Sequence, residues 1–249
     1  MTTATLVRHS RAEMLKVTRG RAMLGLVLGG VLWCVLTSYG YYVDGVKIPL
    51  PPGSGAVTGQ VVRAWMMLLL FSAIAGAMIV TRDFSQGTIS RTVLALGGRR
   101  EAFAAKLVAT VLTSAGFAVV AVVGAGLSGL VALRSNAQLV WDSGCTQTLL
   151  GVAACMMLAG LWGLAVGWLV RNQTLSVLAI VIMVVGVEPA IQRLVPDVAQ
   201  FLFTIALSSV YRDGKPDLLP VGAALGVCAV WIAGLGLAAR TSFFRRDVG

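Results

Sequence analysis

Apolar residues in this chain gather in long, nearly uninterrupted runs rather than in the short periods of half-buried strands and amphipathic helices. Six runs stand out, at about 22 to 42, 62 to 80, 107 to 133, 148 to 170, 174 to 190 and 218 to 239. Their lengths match the roughly 20 residues that a helix needs to cross the hydrocarbon core of a bilayer. In lipid every backbone N–H and C=O must find its partner internally, so each run is predicted to be a helix. Arg63, at the head of the second run, is placed to snorkel to the interface. The third run is long enough to tilt or to extend beyond the membrane. A seventh stretch, Phe201 to Val210, has ten residues and follows Pro189 and Pro196. It is too short to span and reads as a re-entrant or interfacial segment within an extracytoplasmic region, 191 to 217.

Composition gives the same answer. Of 249 residues, 57% are hydrophobic and 12% charged, with a mean hydropathy of +0.87. Soluble domains carry about 25% charged residues, so this chain lacks the polar surface to face water all round. The expected fold is an all-α integral membrane protein forming a single transmembrane domain over residues 1 to 249. Cys34, Cys155 and Cys228 lie within apolar runs and Cys145 in a polar loop. They read as small buried hydrophobes, not as a disulfide framework.

The net charge of +10 would suggest nucleic acid in a soluble protein, but its distribution points elsewhere. Assigned to alternating sides of six spans, fourteen basic and four acidic residues fall on one side. Six of each fall on the other. The positive-inside rule makes the basic side cytoplasmic and places both termini there. Counting 201 to 210 as a crossing would move Arg240, Arg245 and Arg246 outside, so charge and length agree on six spans. The excess charge is then a topology signal and an attraction to anionic membrane lipid; nucleic acid is not an expected partner.

Two segments on the basic side have structure of their own. Residues 5 to 20 alternate apolar and basic positions, with Glu13 and Lys16 among them, and read as an amphipathic interfacial helix. Residues 82 to 101, RDFSQGTISRTVLALGGRRE, are far longer than a simple connection requires. Asp83 or Ser85 is placed to cap a helix, Thr88 to Leu96 holds no Gly or Pro, and Gly97-Gly98 is a stop signal. Ile89, Val93 and Leu96 share one face of that helix and Arg91 lies on another. Such an apolar ridge is shaped to enter a groove on a partner.

The order of these features resembles the membrane subunit of a type 2 ATP-binding-cassette exporter. The resemblance rests on the AEMLK lead (Ala12 to Lys16), two spans, and then Asp83, Gly87, Thr88, Ile89, Leu94, Arg99 and Lys106 at the family's loop positions. Asp83 replaces the commoner Glu, and Gly97-Gly98 stands where Pro is frequent. The resemblance implies that 82 to 101 holds a coupling helix contacting a separate ATPase. Asp83, Gly87, Thr88, Ile89, Arg91, Val93, Leu94, Leu96, Arg99 and Arg100 would be the contacting set. It implies two ATPase subunits carrying ATP and Mg, a second permease copy or a similar permease, a location in the cell (plasma or inner) membrane, and export of an amphipathic drug, antibiotic, peptide or lipid-like molecule. No cofactor, metal or catalytic residue is expected on this chain itself.

Other motifs carry less. GAGLSG (Gly124 to Gly129) has the spacing of a dinucleotide fingerprint but lies inside an apolar run, where small residues serve helix packing. Gly25-x-x-x-Gly29 and Gly163-x-x-x-Gly167 read the same way. No phosphate loop of the G-x-x-x-x-G-K-[ST] type occurs, and His9 is the sole histidine, which disfavours ATPase or metalloprotease chemistry on this chain. Glu188 closes the fifth run before Pro189 and is expected at the outer interface; with Met66 and Phe71 it is also a candidate for a substrate path. Trp65, Trp162, Trp168 and Trp231 read as an aromatic belt. A rival function for the same topology is a non-transporting six-span scaffold whose loop docks a regulatory partner.

Overall fold

The computed structural model describes residues 20–47 and 55–245, and everything described is helix, turn or coil. The interfacial helix expected over 5 to 20, with Glu13 and Lys16, lies outside the described residues save Gly20. Six helical stretches are long and apolar enough to cross a membrane. The first is α1 (Arg21–Val46). The second runs from α2 (Ala56–Arg63) through a 3₁₀ turn (Ala64–Met67) into α3 (Leu68–Ser85). After the short α4 (Ile89–Leu96) come α5 (Arg99–Ser135) and α6 (Ser143–Val170). The fifth is α7 (Gln173–Val181), a π-helical stretch (Ile182–Val187) and α8 (Glu188–Leu194). A turn of helix, α9 (Pro196–Ala199), and the eight-residue α10 (Phe203–Val210) precede the last, α11 (Val221–Arg245).

The second span is the centre of the bundle and packs most closely on α6. Small residues make that approach possible: a Cβ on Gly76 would strike the Gly160 carbonyl, and one on Gly163 or Gly167 would strike the backbone at Ala73 or Ala77. The Gly163/Gly167 pair therefore does what its spacing suggests. Gly25 does not, since nothing lies near it; Gly30, one residue past the motif, is where Leu68 and Phe71 press against α1. Elsewhere on α1, Leu24, Leu28, Leu32 and Leu36 are exposed, a surface suited to lipid and not to water.

The α5 helix is the longest. Its 37 residues rise about 56 Å, well beyond a hydrocarbon core of ~30 Å, so its first turns project past the bilayer and support α4. The fifth span also runs further than its apolar run implied. Pro189 has no N–H and its ring crowds the carbonyl four residues back; the π-helical stretch just before it absorbs that misfit, and helix continues to Leu194.

The chain then folds back into the bundle. The α10 helix, about 12 Å long, is buried at every residue. Its first residue, Phe203, stacks on Trp162 of α6 with ring centroids 5.0 Å apart, and its last residues meet Gly151 near the start of α6. Just before it, the Phe201 carbonyl accepts from Trp231 Nε1 at 2.9 Å, about 15 Å along α11. The helix α10 thus runs from the middle of the bundle toward the end at which α6 begins. Arg63 fastens its exit, donating to the Asp213 carbonyl at 2.8 Å.

Candidate functional site

The loop between the second and third spans is assembled around a buried ion pair. Lys106, on the first turns of α5, has no exposed surface. Its Nζ donates to Asp83 Oδ2 at 2.6 Å and to the Ile79 carbonyl at 2.8 Å. Asp83 also reaches α4: its carbonyl accepts from Thr88 N at 2.8 Å, and its Oδ1 from Thr88 Oγ1 at 3.4 Å. One carboxylate therefore joins the end of α3, the start of α4 and the base of α5. The expected capping role goes elsewhere. Thr88 holds the N-cap position of α4 without a side-chain cap bond, and Ser85 accepts from Gln173 N at 3.2 Å, tying the loop to α7.

The turns on either side of α4 need glycine. Gly87 has φ 63° and Gly97 φ 90°, in the left-handed region that favours a residue without Cβ. At the helix end Gly98 N–H reaches Val93 O and Gly97 N–H reaches Leu94 O, the paired bonds of a Schellman stop.

The apolar ridge is real but faces inward. Ile89 is buried in a cluster with Val80, Leu164, Trp168, Ala239 and Phe243, and Leu96 in another with Ala102 and Ala105; Val93 is half-buried between them. This corrects the expectation that Ile89, Val93 and Leu96 form a ridge free to fill a partner's groove. Their apolar surface is used by this chain's own helices, the same driving force satisfied at shorter range. Left outward are Ser90, Arg91, Leu94 and Ala95, with Leu94 80% exposed, and Arg100 beyond the turn.

Beneath the loop lies an aromatic knot that the run-by-run reading missed. Trp168 is fully buried, with ring centroids 4.3 Å from Phe243, 5.4 Å from Phe103 and 6.0 Å from Phe84. Two arginines close it. Arg99 donates to the carbonyls of Phe243 and Phe244 at 3.2 and 2.9 Å, and Arg171 to the Ser242 carbonyl at 2.9 Å while lying over the Phe84 ring. These acceptors are carbonyls at the end of α11 that the helix itself leaves unpaired, where cations are favoured. Trp168 is thus no membrane-belt residue, and Trp65 and Trp162 are buried too. The sequence signal was Arg171, a lone basic residue between two spans.

A transporter family model, described as ABC-2 family transporter protein, matches residues 11–187. The chain belongs to the ABC-2 transporter family. No curated protein matches it. As an ABC-2 permease it is a multi-pass membrane protein of a family whose members work with ABC ATPase subunits. The match spans the whole loop and ends one residue before Glu188.

Glu188 is not at a wetted interface, as its place beside Pro189 had suggested. It is 1% exposed and accepts from Thr204 N at 2.7 Å and from Thr204 Oγ1. The carboxylate thereby caps the N-terminus of α10 and holds the infolded segment against the fifth span. Met66 and Phe71 are half-buried and pack against the main core; Phe71 faces Gly30 of α1, so it and Glu188 serve different neighbours. Glu188→Ala is expected to lower stability in detergent by about 1–3 kcal/mol, the cost of leaving buried donors unpaired. Glu188→Gln should recover part of it, because an amide oxygen still accepts from Thr204. Thermal midpoints of the purified variants check this ordering.

Proposed function

We propose that this ABC-2 permease is the membrane subunit of an ATP-driven exporter and that α4 is the coupling helix through which an ATPase acts on it. The observation that carries the reading is the outward face of α4. Leu94 stands exposed between Arg91 and Arg100, while Ile89, Leu96 and the Asp83–Lys106 pair fix the same helix to α3, α5 and α11. An exposed leucine flanked by cations offers apolar contact area together with charges that set register. A rigid mount passes displacement of α4 to three spans at once, as a rigid-body rocking mechanism requires.

The charge asymmetry of the sequence supports a cytoplasmic position for α4 and for both termini. In this reading two ATPase subunits bind ATP and Mg, and a second permease, identical or similar, completes the membrane pathway. The cargo is an amphipathic molecule such as a drug, antibiotic, peptide or lipid-like compound, and resistance to an antibiotic is one physiological outcome.

The test is efflux. Cells making this chain together with its ABC ATPase should expel a fluorescent amphipathic dye and tolerate some members of an antibiotic panel. Both effects should vanish when the ATPase loses its phosphate-loop lysine. An ATPase that binds the chain while neither dye efflux nor tolerance depends on ATP would contradict export and favour a scaffold.

A further inference from the structure

We propose that the cleft between α1 and α5 is a binding site for the acyl chain of a membrane lipid. The cleft has a volume of about 780 Å³, within the ~300–1,000 Å³ usual for small-molecule sites. Its walls run from Val31 to Tyr42 on α1 and from Val119 to Ser135 on α5. Those stretches rise about 16 and 24 Å, against a hydrocarbon core of ~30 Å. The space is therefore long and aligned with the spans, the shape of an extended chain.

Its chemistry is graded along that length. No charged side chain lines it. The end nearer the start of α1 is lined by valines alone, whereas Ser38, Tyr42 and Ser135 join Val61 and Val131 at the end opposite α4. A lipid fits this gradient with its methyl end deep in the bundle and its glycerol-ester zone beside the hydroxyls. The floor is built as well. The six-membered ring of the Trp65 indole lies against Gly124, where any Cβ would run into it, and its Nε1 donates to Ser128 Oγ at 3.1 Å. Replacing Gly124 by a larger residue would displace the indole, so this glycine helps to fix the floor.

Val35 and Val123, one on each wall of the cleft, are exposed, on faces that meet lipid in a six-span protein. Water is a poor occupant, since it needs two to four polar partners. An empty cleft would forfeit the dispersion contacts of its walls. A bilayer supplies acyl chains at high concentration on that very face. The inference rests on the six-span reading and not on export, so it stands or falls separately from the proposed transport.

The experiment uses the full chain in phosphatidylcholine nanodiscs doped with a phosphatidylcholine whose acyl chain bears a diazirine. After irradiation, labelled residues are mapped by mass spectrometry. Label is expected on Val120 and Ser128, which are half-buried and line the cleft. In the Val35→Phe/Val123→Phe variant that label should fall to background, while label on Leu178 of α7, exposed on another face, should persist. Absence of label on Val120 and Ser128 in the unaltered chain, or its persistence in the filled variant, would overturn the proposal. So would Val123→Cys chains that crosslink to one another while Ser128 stays unlabelled, because the cleft would then be covered by a second copy.

Discussion

Lys106→Ala is expected to destabilise the permease by about 3–5 kcal/mol, the cost of leaving a buried charge without its partner. Asp83 is itself buried and bonded to Thr88 at the start of α4, so solvating the unpaired carboxylate fully would loosen the loop. The variant should therefore show a lowered thermal midpoint and early proteolysis between residues 86 and 98. Replacing both members of a buried pair with apolar residues of similar volume is often close to neutral, so Asp83→Leu/Lys106→Met should regain most of the lost midpoint. The double-mutant cycle then isolates the pair from its surroundings. Equal midpoints for Lys106→Ala and the unaltered chain would mean that the pair is not buried as described.

Trp168→Ala is expected to cost about 3–5 kcal/mol, the range for truncating a large buried aromatic. Three phenylalanines from three different helices converge on this one indole. Trp168→Phe should be much milder, because the indole N–H has no hydrogen-bond partner among the described residues and the substitution removes no polar contact. The functional prediction goes further than stability. Since the knot links the loop to the end of α11, Trp168→Ala in a chain that still inserts should uncouple ATPase turnover from efflux more than it weakens ATPase binding. Parallel measurement of binding and efflux separates the two; proportional loss of both would argue against the linkage.

How much of this was legible beforehand depends on the length scale of each feature. The six spans were, because continuous apolar runs and backbone satisfaction in lipid leave few alternatives. Helix ends were less so: α5 begins at Arg99, eight residues before its apolar run, since a helix outside the bilayer needs no apolar sequence. The ridge on α4 shows the sharper limit. Periodicity finds that Ile89, Val93 and Leu96 share a face, but the pattern is the same whether a partner or the chain's own α5 and α11 cover it. Glu188 and Trp168 were misplaced for a related reason. A carboxylate or an indole near a run end suggests an interface, and only tertiary packing reveals a cap on α10 or a knot beneath the loop. Conversely, Lys106 was picked out by resemblance alone and Asp83 only as a cap candidate and a resemblance position, and their 23-residue separation carries no local signal of pairing.

The claim that the outward face of α4 receives the ATPase is tested most directly by Leu94→Asp. Leu94 touches little of its own chain, being 80% exposed, so the stability should change by less than the roughly 0.5 kcal/mol typical of surface substitutions. Affinity for the ATPase, read by titration of the purified subunit onto the permease in nanodiscs, should fall by about tenfold or more, as for a central apolar contact worth over ~1.4 kcal/mol. Unchanged affinity and unchanged efflux in a stably folded Leu94→Asp permease would contradict the account.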